Sequence, residues 1–166
     1  MNIRIRTAPE LYAHAIAIER EAAERYAELA ARMDDEGRVD LARVFDLLAR
    51  LEAGHLEALE ARTDGVALPP VPGGDYQWLE AGAPQTAARE AVFRLMTPRT
   101  ALAVALQAEK RAQAFFEGVF MTCDDPALRA LAREMAAEEQ EHAGLIERLL
   151  EETPREQLSS TVIFDR

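Results

Sequence analysis

The chain has 166 residues, 49% of them hydrophobic and 30% charged, with 30 acidic against 19 basic side chains and a net charge of -11. That length suits one domain with a sizeable core, and the acidic balance disfavours phosphate backbones, so no nucleic-acid partner is expected. The single cysteine, Cys123, excludes an internal disulfide and any four-cysteine iron or zinc site.

In chain order, the opening Met-Asn-Ile-Arg-Ile-Arg lacks the apolar segment of a secretory signal. A first helix is predicted over about residues 9–33, with Thr7 as N-cap and Pro9 in its first turn. Gly37 lies in a short turn before a second helix over about residues 38–62. Residues 63–97 form a long crossover, marked by Gly65, Pro69, Pro70, Pro72, Gly73, Gly74 and Gly82. It contains a short helical stretch over about residues 85–96, which stops before Pro98. Tyr76 and Trp78 either pin the crossover to the bundle or form a dimer contact. Thr97 caps a third helix over about residues 98–121, and Asp124 or Asp125 opens a fourth over about residues 126–152, ended by Pro154. The tail, residues 154–166, contains Thr-Val-Ile-Phe and is expected to dock as an extended strip. No apolar run approaches the roughly 20 residues of a membrane helix, so no membrane partner is expected and the cytoplasm is the default location.

The connections set the topology. Short turns make each helix pair an antiparallel hairpin, and the connection between the second and third helices can cross the full length of a bundle. The expected fold is all-α, a single ferritin-like four-helix bundle of two hairpins joined by a long crossover.

Helical positions three, four and seven apart share a face. The first helix has an apolar stripe of Ala15, Ile16, Ala22, Ala23, Tyr26 and Leu29, with Glu19 in its middle. On the second, Phe45, Leu48, Leu56 and Leu59 are interrupted by Glu52 and His55. On the third, Leu102, Ala105, Leu106, Ala112 and Phe116 surround Glu109. On the fourth, Leu128, Met135, Ala136, Ala143 and Ile146 surround Glu139 and His142. Each helix thus puts a carboxylate where a core residue belongs, and two add a histidine three positions on.

An unpaired buried carboxylate is costly or takes up a proton, and several together repel one another. Two divalent cations remove both problems, because four glutamates and two neutral histidines then form a cluster of low net charge. Two Glu-x-x-His motifs with a lone Glu on each of two other helices is the donor set of di-iron and di-manganese bundle sites. The set is doubled internally: 90 positions separate Glu19 from Glu109, and 87 separate both Glu52 from Glu139 and His55 from His142. The competing reading is a plain bundle whose glutamates reach water from the stripe edge.

These segments resemble the rubrerythrin family of the ferritin-like superfamily. Glu19 followed seven positions later by Tyr26 is similar to the family's first helix, and Phe45 to His55 resembles its Phe-x6-Glu-x-x-His. Glu109 and the Glu138 to His142 run resemble its second half. The resemblance implies a non-haem di-iron centre with Glu19, Glu52, His55, Glu109, Glu139 and His142 as ligands, manganese or zinc being alternative metals. It implies an oxidoreductase that reduces hydrogen peroxide or dioxygen, often as a homodimer. Glu52 and Glu139 would bridge the ions, and Tyr26 would hydrogen-bond a ligand carboxylate and supply an electron, or be an ordinary core tyrosine. The chain departs from the family in two ways. It lacks the cysteines of a rubredoxin domain, so electrons would come from an external donor protein or small reductant. Ala112 also stands where the family carries a further glutamate, which leaves a six-ligand set.

The alternatives are a ferroxidase that stores or delivers iron, a di-manganese catalase-like protein, and a bundle binding zinc or a partner without redox use. Glu138 and Glu141, turned about 100° and 200° from Glu139, are expected in solvent. His14 is expected at the surface, and Cys123 is expected to be a small buried residue.

Overall fold

The computed structural model describes residues 5–71 and 97–153. They form four helices: α1 (Ala8–Asp35), α2 (Val39–Arg62), α3 (Pro98–Thr122) and α4 (Pro126–Glu152). The expected short helix at 85–96, Tyr76, Trp78 and the strip at 154–166 lie outside the described residues.

The helix starts follow local chemistry. Thr7 accepts from the Glu10 amide while the Glu10 carboxylate takes the Thr7 amide, a reciprocal capping box. Thr97 Oγ1 accepts from the Thr100 amide at 3.1 Å, and Asp125, rather than Asp124, accepts from the Leu128 amide at 2.7 Å. Each of α1, α3 and α4 has proline in its first turn, where no amide hydrogen is needed. The end of α1 is a Schellman turn: the Arg38 and Gly37 amides return to Met33 and Asp34 carbonyls, each at 2.8 Å. Gly37 there adopts φ +73°, a left-handed conformation that a side chain resists.

Two apolar layers hold the bundle together. One joins Leu11 and Ile18 near the start of α1, Leu59 near the end of α2, Phe116 and Val119 near the end of α3, and Leu128 and Met135 near the start of α4. The other joins Leu29 and Met33, Leu41 and Phe45, Leu102, and Ile146, at the opposite ends of the same helices. Hence α1 and α4 run one way and α2 and α3 the other. Because α2 finishes at the first layer and α3 starts at the second, their connected ends lie at opposite ends of the bundle. Burial of one large side chain such as Phe116 contributes about 1.5–3 kcal/mol, so these layers dominate stability. The half-exposed pair Arg62–Glu134, at 2.6 Å, links α2 to α4 but adds only about 0–1 kcal/mol. Arg99 Nη1 donates to the carbonyls of Leu150 and Thr153 at 2.7 and 3.1 Å, placing its charge at the negative end of α4.

The architecture is the expected one, an all-α bundle of two helix pairs joined by a crossover. The predicted stripes are buried, with Ala23, Leu56, Leu106 and Ala136 only half-buried at their edges. No helix among the described residues is long and apolar enough to cross a membrane.

Candidate metal centre

Midway between the apolar layers lies a slab of polar side chains contributed by all four helices. Glu19, Glu52, Glu109 and Glu139 are each only 1–2% exposed, and His142 is 5% exposed. The helical repeat forces this: each glutamate sits one turn from stripe residues, as Glu109 does from Ala105 and Ala112, so it cannot leave the core without taking the stripe with it.

One ligand atom each from Glu52, Glu109 and His142 lies within 4.8 Å of the others. His142 Nδ1 stands 3.1 Å from Glu52 Oε1, 3.4 Å from Glu109 Oε2 and 3.9 Å from Glu139 Oε2. It is aligned with none of them for a well-formed hydrogen bond: Nδ1, Glu52 Oε1, Glu139 Oε1 and Glu19 Oε2 are all buried without a hydrogen-bond partner. Tyr26 Oη donates to Glu109 Oε1, and the Tyr26 ring stacks on Phe45 at 6.1 Å. His55 stands one step out. Its Nε2 is 3.2 Å from His142 Nε2, the two rings meeting nearly at right angles, and its Nδ1 is 3.5 Å from Glu138 Oε2.

The electrostatics follow from burial and crowding. Burial first, then hydrogen bonding to Glu52 and the charges of Glu139, Glu52 and Glu109, push the Glu19 carboxyl from 4.5 up to about 11. Burial, then Glu109 and Glu52, raise Glu139 well above the carboxylate range. For His142, burial favours the neutral ring, but Glu109 and Glu52 outweigh it and lift the pKa to about 10. Burial and Glu109 raise the Tyr26 hydroxyl, which stays protonated as a donor.

This arrangement fits a metal. Buried carboxylate oxygens and the His142 ring converge with unmet bonding capacity, and burial together with the crowding of charges keeps protons on the Glu19 and Glu139 carboxyls. Oxygen and imidazole donors suit iron, manganese or zinc, and a divalent ion would replace the protons as the compensating charge.

The expected site residues are brought together unevenly. Glu19, Glu52, Glu109, Glu139 and His142 form the buried slab, whereas His55 is half-buried behind His142. Two expectations need correction. His14 is buried, not superficial, with its ring 5.7 Å from that of Phe115 across the bundle. Glu138 is not free in solvent: its side chain is 31% exposed and faces His55. Its spacing of four from His142 puts it on the edge of the same face, a signal that the 100° offset from Glu139 conceals. Glu141 is exposed and Cys123 buried, as expected.

The rubrerythrin family model matches residues 10–69, the hairpin that carries Glu19, Tyr26, Glu52 and His55. No curated protein sequence matches the chain significantly. Among solved structures, the crystal structure at 2.00 Å of an uncharacterized conserved protein from Magnetospirillum magnetotacticum MS-1 is similar, with 35% identity and a TM-score of 0.78. The match covers 92% of this chain and 99% of that one. With that identity over nearly the whole of both chains, the protein belongs to the same family as the Magnetospirillum protein, a ferritin-like family related to rubrerythrin.

Proposed function

We propose that the protein is a non-haem di-iron oxidoreductase that reduces hydrogen peroxide or dioxygen with electrons from an external donor. One observation carries this reading: carboxylate and imidazole donors from all four helices converge in one buried slab, and an atom each of Glu19, Glu52, Glu139 and His142 has no hydrogen-bond partner there. Glu52, Glu109 and His142 would hold the metal at the centre of the slab, with Glu19 and Glu139 flanking them and His55 as the donor at its edge. Two ferrous ions held there would supply two electrons, one from each ion, to the bound oxidant.

The chain's own residues do the rest. The four carboxylates offset the charge of two divalent ions, so the loaded core is nearly neutral. The apolar layers on either side, capped by residues such as Phe116 and Phe45, keep bulk water from the donors. Tyr26 holds Glu109 from the facing hairpin and fixes where that carboxylate points. Ala112, buried one turn beyond Glu109, adds no further carboxylate on that side and leaves the donor set at six.

The test is anaerobic loading with ferrous iron followed by peroxide. Uptake of about two ions per chain and an oxidised-iron absorption band after peroxide are expected. Loaded protein whose spectrum peroxide leaves unchanged overturns the redox reading, and failure to take up iron overturns the metal centre itself.

A further inference from the structure

We infer that the two halves of the donor cluster are inequivalent, and that the half anchored by Tyr26 takes its ion first. This order of filling rests on the metal centre proposed above.

An approximate twofold relation runs through the chain. A shift of 90 positions carries Glu19 onto Glu109, and a shift of 87 carries Glu52 and His55 onto Glu139 and His142. Two half-sites follow: Glu109, Glu52 and His142 form one, and their counterparts Glu19, Glu139 and His55 form the other. The residue seven positions after each lone glutamate breaks the relation. It is Tyr26 on α1 and Phe116 on α3, both buried, at 4% and 0% exposure. The Tyr26 hydroxyl crosses to the other hairpin and donates to Glu109 Oε1. The relation that pairs Tyr26 with Phe116 also pairs Glu109 with Glu19, so the ring corresponding to Tyr26 on the Glu19 side carries no hydroxyl. Glu19 Oε2 is buried there without a hydrogen-bond partner.

The donor positions differ in the same sense. Glu52, Glu109 and His142 bring one ligand atom each within 4.8 Å of the others, whereas Glu19 lies outside that triplet. A ligand carboxylate held by a neighbour keeps its direction before metal arrives, so binding has less ordering left to do. Tyr26 is thus a positioning residue for one half-site, and Phe116 leaves the other without its equivalent.

Zinc titration of the metal-free full chain by calorimetry measures the two steps. Mutual repulsion of the ions separates the steps in every variant, so a change in the ratio of first to second affinity reports the hydroxyl. Tyr26→Phe is expected to weaken the first step about tenfold and to lower the ratio by the same factor. Phe116→Tyr is expected to strengthen the second step about tenfold, which also lowers the ratio. A general loss of stability weakens both steps alike and leaves the ratio where it was. The proposal is overturned if wild type and Tyr26→Phe share one ratio, or if a folded Phe116→Tyr leaves the second step unchanged. Should Phe116→Tyr not fold, the Tyr26→Phe ratio decides alone. Wild-type protein that binds no zinc, or one ion only, overturns the paired centre itself and this order of filling with it.

Discussion

Tyr26 on α1 donates its hydroxyl to Glu109 on α3, so one buried hydrogen bond ties the first hairpin to a carboxylate of the second. Both partners are almost fully buried, at 4% and 1% exposure, and neither has water to fall back on.

Tyr26→Phe keeps the ring against Phe45 and removes only the donor. Leaving a buried acceptor unmet is expected to cost the metal-free protein about 1.5–3 kcal/mol, measured by urea unfolding. Zinc or ferrous affinity is expected to fall as well, because Glu109 loses the contact that aims it. An unchanged urea midpoint and metal affinity would mean that Tyr26 is only a core ring.

The pH dependence has a definite sign. Glu19 rises from 4.5 to about 11 and His142 from 6.5 to about 10, so the folded chain holds protons that the unfolded chain releases. Their stabilisation is complete below about pH 4.5 for Glu19 and 6.5 for His142, and is lost as pH climbs toward their folded values. Between pH 6.5 and 9 the melting temperature of metal-free protein is therefore expected to fall. Metal affinity is expected to rise over the same window, because binding displaces those protons. Calorimetry of both forms across the range checks the two slopes, which must be opposite.

Glu19→Gln separates folding from metal binding. At neutral pH the Glu19 carboxyl is already uncharged, so the amide replaces a group of the same shape and charge. Metal-free stability is expected to change by less than about 1 kcal/mol, with a shallower decline toward alkaline pH, while the stabilisation added by zinc shrinks. A loss of several kcal/mol without metal would show that Glu19 is held ionised.

Ala112→Glu places a fifth carboxyl one turn from Glu109, in an apolar layer where Ala112 is 3% exposed. Overpacking alone costs about 1–3 kcal/mol, and the desolvated carboxyl adds to it. The metal-free variant is expected to melt lower, and metal to restore more stability than it adds to wild type. Denaturation with and without zinc measures both.

The helix limits were legible because their signals are local: Thr7 with Pro9, Gly37, Thr97, and Asp124 or Asp125 ahead of Pro126 each act within a turn. The slab was legible because Glu19, Glu52, Glu109 and Glu139 interrupt otherwise apolar stripes, and a bundle has one interior for them to share. What escaped is what depends on neighbouring helices. His14 was expected at the surface by its register against Glu19, but Phe115 from α3 covers it. Glu138 was expected in solvent by its angle on α4, yet a helix in a bundle borders two partners, and α2 brings His55 to it. The difference between His55 and His142 escaped for the same reason: equal spacing in the chain says nothing of which ring stands in front.

The two apolar layers flank the polar slab without depending on it, and this sets an order of assembly. Hydrophobic contact can close both ends of the bundle while the centre is still protonated, so ions bound there would arrive as guests in a finished room rather than as the nails that build it. Such a chain differs from small zinc domains, which are unfolded until their metal arrives. A chelator should empty this protein and leave its helices standing.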